Sequence, residues 1–340
     1  MKAIIKTEHG AGMISYMDTE KPQPKRGQVL IKVAYAGICG TDLKIRSGHF
    51  GCNPPVILGH EYSGVIEAVG EGVTRFKPGD RVISETAGIV CGKCEYCMSG
   101  NYLMCDDRLS IGYGTNGAMG EYIAIREEIV HPVPDSISLE EAALCEPAAV
   151  AFHAVFDYTE IKPFHTVLVT GPGTIGQLVA QTVKSTGARV ILTGTSNDEF
   201  RLKVAEKLGI ETIVSDREDV VEYITKITDG KMADYAFDCS GAGVAISQAL
   251  HCLRKKGSLV QVGLTKDSIS IDYGLLPMRE LSVKGAFGHL NSSWVGVLKL
   301  MELKKIDVKP LITDKFEFKN WEKGFDRAEH LNCIKVLLHP

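Results

Sequence analysis

Thr166-Val167-Leu168-Val169-Thr170-Gly171-Pro172-Gly173-Thr174-Ile175-Gly176 decides how this chain is read. An apolar, β-branched run feeds a G-x-G-x-x-G spacing, and helical periodicity continues through Gln177-Leu178-Val179-Ala180. Alone the glycine pattern is weak, but a strand before it and a helix after it are the context it requires. Gly171 allows the tight turn, Gly173 lets a pyrophosphate approach the backbone, and Gly176 permits close helix–strand contact. The helix start, Thr174 and Ile175 included, offers unpaired N–H groups and the positive end of a dipole to phosphates. A dinucleotide-binding unit is expected.

The flanking sequence agrees. From about residue 150, apolar runs at 189–193, 212–214, 235–238, 258–263 and 282–287 alternate with helical stretches, the signature of a parallel α/β sheet. Ser240, Val262 and Gly263 sit at strand ends, where such sheets carry their ligand crevice, and are expected beside the cofactor. The second strand ends in Gly194 rather than an acid. Thr195 and Ser196 then offer hydroxyls, Asp198 suits a helix cap or first turn, and Arg201 is either an adenosine contact or a solvated helix residue. With no carboxylate at 194 to repel a 2′-phosphate, the cofactor is NAD or NADP, with the balance toward NADP.

Upstream, residues 1–149 hold short β-type runs at 29–35, 65–69 and 81–83, punctuated by glycine and proline. A chain of 340 residues exceeds one ordinary core, so two domains are expected. Apolar content of 44%, charged content of 24% and a net charge of −4 suit a soluble globular protein, with no sign of nucleic acid or membrane partners. The start reads as a first strand rather than a signal peptide. Ten cysteines in a long chain without such a signal point to metal ligands in a reducing compartment, the cytoplasm, over a disulfide framework.

Four of these cysteines cluster. Cys91, Cys94 and Cys97 are spaced by three, and Cys105 closes a lobe at about 88–107. Close neighbours favour a metal over strained bridges, and four thiolates suit a structural zinc with no open position. A second set is dispersed. Cys39, His60, Glu61 and Glu146 combine the thiolate, imidazole and carboxylate donors of a catalytic zinc site.

Together these residues resemble the zinc-dependent medium-chain dehydrogenases, nearest the sorbitol and threonine dehydrogenase branch. The resemblance runs over essentially the whole chain and is carried by 59–73, 91–105, Glu146-Pro147 and 171–176. It implies an α/β protein: a GroES-like β-rich catalytic domain over 1–149, a Rossmann doubly wound parallel-sheet domain over 150–286, and a return to the catalytic domain over 287–340. It implies a catalytic zinc on Cys39, His60 and Glu146, with Glu61 a ligand in some states and displaced in others. It implies that Thr41 relays the substrate's proton, and that the protein is a homotetramer or homodimer. The relay's usual histidine is replaced here by Lys44. The activity implied is reversible oxidation of a secondary alcohol in a polyol, sugar alcohol or related compound. Threonine-type and general secondary-alcohol dehydrogenases are the alternatives, ahead of a non-enzymatic nucleotide sensor. Lys44 and Arg46 either form a solvated basic loop or a contact with the cofactor's phosphates, or offer charge to an anionic substrate group such as a phosphate.

Overall fold

In a computed structural model that describes residues 1–265 and 268–340, strand Gln28–Gly37 is the spine of the first unit. Its apolar residues are buried almost throughout, as expected of a strand paired on both sides. It pairs antiparallel with Glu61–Val69 on one side and with Lys335–His339 and Tyr122–Arg126 on the other. The full sheet runs Val130–Pro132, Arg81–Ser84, Glu61–Val69, Gln28–Gly37, Lys335–His339, Ile312–Glu317. Val29, Ile31, Val33, Tyr62, Ile66, Ile123, Phe325 and Leu338 meet in its core. Each fully buried aliphatic side chain there contributes about 1.5–3 kcal/mol.

This unit comprises Met1–Glu146, Leu290–Glu302 and Ile312–Pro340. Helix Asn291–Glu302 is fastened by Trp294, whose ring stacks on His131 at 5.6 Å, and by Asn291, which donates to Glu85 Oε1 at 2.8 Å. The same Glu85 oxygen pairs with His131 Nε2 at 3.0 Å, so its burial is compensated from both directions.

The second unit, Pro147–His289 with Leu303–Leu311, holds six strands in wholly parallel register. Their order is Glu211–Val214, Arg189–Gly194, Thr166–Thr170, Ala233–Asp238, Leu253–Gln261, Ser282–Gly285. Strand order reverses beside Thr166–Thr170, and ligands of such sheets bind outside the carboxyl ends at that reversal. The glycine stretch lies there, with helix Thr174–Ser185 following it. Among the described residues no helix is long and apolar enough to cross a membrane.

Candidate functional site

Cys39 follows strand Gln28–Gly37 and forms the N-cap of helix Gly40–Arg46. Its backbone is extended, and its N–H donates to Asp42 Oδ2 at 2.9 Å, which pins the cysteine at the helix entrance. Thr41 sits half-buried in the first turn of that helix.

His60 is placed by glycine. Gly59 has φ +89°, a left-handed conformation that a side chain disfavours. A Cβ on Gly117 would lie 2.1 Å from the Gly59 carbonyl oxygen, and one on Gly112 would lie 2.8 Å from it. Three backbones thus meet directly and hold the 59–60 turn. The His60 ring is buried, meets Tyr113 edge-on with centroids 6.0 Å apart, and keeps Nδ1 enclosed with no hydrogen-bond partner among the described residues.

Glu61 begins strand Glu61–Val69 directly opposite Gly37. A Cβ on Gly37 would stand 2.2 Å from Glu61 Oε2, so glycine leaves the room through which the carboxylate crosses the spine strand. On the far side Lys335 opens the next strand. Its ammonium donates to both Glu61 oxygens at 2.9 and 2.7 Å and to the Ile38 carbonyl at 2.9 Å. Burial works against the Lys335 charge, but the carboxylate and the neighbouring Cys39 outweigh it and raise its pKa.

Ligand atoms of Cys39, His60 and Glu61 lie within 4.8 Å of one another. Glu146 stands outside this mutually close set. Burial raises its carboxyl to about 7, against the pull of His60, with Glu61 adding like-charge repulsion. His60 is itself raised, because Cys39, Asp42 and Glu146 outweigh the desolvation cost. A thiol, three carboxyls and one ammonium converge here, and an orphaned imidazole nitrogen lies among them. That excess of negative donors fits a divalent zinc ion.

In the lobe, the sulfurs of Cys91, Cys94, Cys97 and Cys105 also lie within 4.8 Å of one another. Backbone N–H groups of Lys93 and Cys94 donate to Cys91 Sγ and lower its pKa to about 6. Burial pushes Cys97 the other way, to about 12. Four touching thiols cannot all ionise unaided, and a dication resolves the conflict. The cluster fits a structural zinc site.

At the glycine turn, Gly171 has φ +89° and a Cβ there would meet Ser240 at 2.8 Å. A Cβ on Gly176 would meet the Gly171 carbonyl at 1.8 Å, whereas Gly173 faces open space at the N-cap of its helix. Thr174 and Ile175 form the first turn, half-buried. This is the cradle a pyrophosphate requires. Ser240 Oγ, expected beside the cofactor, donates to Asp238 Oδ1 at 2.6 Å, and the Val262 and Gly263 N–H groups donate to the Asp238 carbonyl at 2.9 and 2.8 Å. The Asp238 carboxylate also accepts from Thr170, Gly241 and Gln261, which locks the strand ends together.

Arg46, expected with Lys44 to offer charge to an anionic group, pairs with Asp326 at 2.6 Å and Glu329 at 3.9 Å, both on the returning C-terminal segment. Asp198 takes the expected N-cap position of helix Glu199–Lys207, while its side chain turns back to accept from the Thr195 N–H and hydroxyl at 3.0 Å each. Lys335 and Asp238 were not singled out in the sequence. A lysine within an apolar run near the chain end, and an acid closing a buried strand, were the only signals each carried.

A GroES-like unit bearing the Cys39–His60–Glu61 group, in one chain with a unit that carries a Rossmann glycine cradle, defines the class of zinc-dependent alcohol dehydrogenases. Family models agree: an alcohol dehydrogenase GroES-like domain matches residues 25–135 and a zinc-binding dehydrogenase domain matches 174–302. A sorbitol dehydrogenase of Halalkalibacterium halodurans is 42% identical, with 100% of this chain and 99% of the relative covered. A D-arabitol-phosphate dehydrogenase of Enterococcus avium is 38% identical over 99% of this chain and 97% of the relative. The crystal structure of 2R,3R-butanediol dehydrogenase from Bacillus subtilis matches with a TM-score of 0.91 at 31% identity, over 100% of this chain and 99% of that one. The chain belongs to the zinc-dependent medium-chain dehydrogenase family, which uses a nicotinamide dinucleotide cofactor.

Proposed function

We propose that the protein oxidises a secondary hydroxyl of a polyol or polyol phosphate to a ketone, reversibly, with NAD or NADP. The observation that carries this reading is the Cys39–His60–Glu61 group, its histidine and glutamate buried and backed by Lys335, in a chain similar end to end to polyol dehydrogenases. Zinc at that group would supply a Lewis acid to the alcohol oxygen, while the nicotinamide ring accepts the hydride.

Cys39, His60 and Glu146 would hold the ion, with Glu61 as the exchangeable partner. Lys335 supports that division, since its two bonds draw Glu61 away while burial leaves Glu146 poised to give up a proton to a cation. Thr41, in the helix turn beside Cys39, would accept the alcohol's proton and pass it to solvent. Lys44, one helical turn on from Thr41, replaces Arg46 as the residue offered to an anionic substrate group, because Arg46 is already paired. Gly171, Gly173, Thr174, Ile175 and Gly176 would bind the cofactor's pyrophosphate. Thr195, Ser196 and Arg201 would frame its adenosine, and Ser240, Val262 and Gly263 would line the crevice.

The protein would act in the cytoplasm as a homodimer or homotetramer. The exposed edge strand Ser282–Gly285, unpaired on its outer side among the described residues, supports self-association. Its test is sedimentation of the purified chain.

The activity is tested with a panel of polyols, polyol phosphates, L-threonine and simple secondary alcohols, run with both cofactors on protein of measured zinc content. Turnover of polyols or their phosphates above the rest is expected. A zinc-replete, cofactor-binding preparation that turns over none of them would overturn the reading.

A further inference from the structure

Strand Arg189–Gly194 ends where an acid ordinarily receives the adenosine ribose, and here the residue is Gly194. No side chain fits there. A Cβ on Gly194 would lie 2.7 Å from Pro172 Cγ, 2.9 Å from Pro172 Cδ and 3.0 Å from Asp198 Cβ. Pro172, inside the glycine turn itself, occupies the space that a carboxylate at 194 would need.

Negative charge arrives by another route. Strand Glu211–Val214 runs parallel to Arg189–Gly194 with Val214 opposite Gly194, and the turn that follows carries Asp216 to Ser196. Asp216 accepts from the Ser196 N–H at 2.7 Å and from its hydroxyl at 2.6 Å. Asp198 takes the N–H and hydroxyl of Thr195 in the same way. The nearby guanidinium groups are also engaged by acids: Arg201 meets Asp198 at 3.5 Å and Arg217 meets Glu199 at 2.7 Å.

We propose that Asp216, with Asp198 beside it, replaces the missing acid of position 194 and makes the protein selective for NAD over NADP. The donors that made Thr195 and Ser196 look receptive to a 2′-phosphate are already committed to carboxylates. A 2′-hydroxyl can donate a hydrogen bond to such a carboxylate, whereas a 2′-phosphate offers only acceptors and repels it. Asp216 is ionised near neutral pH, since the Ser196 hydroxyl holds its carboxyl below the usual range. The preference read from Gly194 alone is thereby reversed.

The inference rests on the dehydrogenase reading only in requiring a nicotinamide dinucleotide, so it is tested by binding rather than turnover. NADH and NADPH are titrated into the full-length protein, with affinity read from quenching of its tryptophan fluorescence. The unmodified protein should bind NADH tighter by about tenfold, the scale of one exposed charge contact, and Asp216→Asn should remove most of that ratio by improving NADPH. Asp216 is exposed, so the variant is expected to fold, and thermal melting verifies it. Asp216→Arg should carry the preference further, to NADPH. Equal or tighter NADPH binding by the unmodified protein, or a ratio unmoved in either folded variant, would overturn the proposal. Failure to bind either dinucleotide would overturn the dehydrogenase reading instead.

Discussion

The cysteine lobe draws its four sulfurs from one short stretch, Cys91 to Cys105, whereas the second site gathers Cys39 from a helix cap, His60 from a glycine turn and Lys335 from the last strand. The lobe is closed by its chemistry, because four thiolates complete a tetrahedron and leave nothing for a substrate. The other site mixes thiolate, imidazole and carboxylate. Its carboxylate is already shared with an ammonium, so its donor set can change. Local spacing suffices to hold an ion in place. A reactive centre needs groups that oppose one another, and those came from distant parts of the chain.

That contrast breaks most sharply at His60. His60→Ala should lower turnover by about a thousandfold or more, as expected when a Lewis acid is lost, and remove one zinc per chain while the lobe keeps the other. Metal analysis alongside the rate decides it, and a variant that keeps both zincs and its rate would place the reactive centre elsewhere.

Lys335→Met comes next. It strands Glu61 as a buried, unpaired charge, which costs about 3–5 kcal/mol, and frees it to compete for the metal, which should lower activity about 10–100-fold. Adding Glu61→Gln should recover stability but not rate. If the double variant melts no higher than Lys335→Met alone, the pair does not carry the role assigned to it.

At the lobe the expected effect is on stability. Cys97→Ser should lose one zinc and lower Tm by about 5–10 °C, while the folded fraction retains its specific activity. A proportional fall in activity per folded molecule would erase the distinction between the two sites.

The smallest effect is expected at Arg46. Its pairs with Asp326 and Glu329 are partly exposed, so Arg46→Ala should cost under about 1 kcal/mol and leave the ratio of rates for a polyol and its phosphate unchanged. A selective loss for the phosphate would return Arg46 to the substrate.

Much of the fold was readable because its signals are periodic and local. The runs expected at 166–170, 189–193 and 212–214 are strands Thr166–Thr170, Arg189–Gly194 and Glu211–Val214. Gly171 and Gly176 meet the close backbones their spacing implied. Glu61 was legible as a ligand type but not as one half of an ion pair. Ser196 was legible as a donor but not as one already taken.

The sequence by itself determined which chemistries the chain could assemble: the thiol spacing of the lobe, the cysteine, histidine and carboxylates of the second site, and the glycine turn. Tertiary structure decided which of those groups were already spoken for. Sheet order sets the strand of Gly37 between those of Glu61 and Lys335, and parallel register brings the turn that carries Asp216 to Ser196. Neighbours across a sheet are chosen by strand order rather than by distance along the chain. A charge pair between them therefore leaves no spacing in the sequence to read.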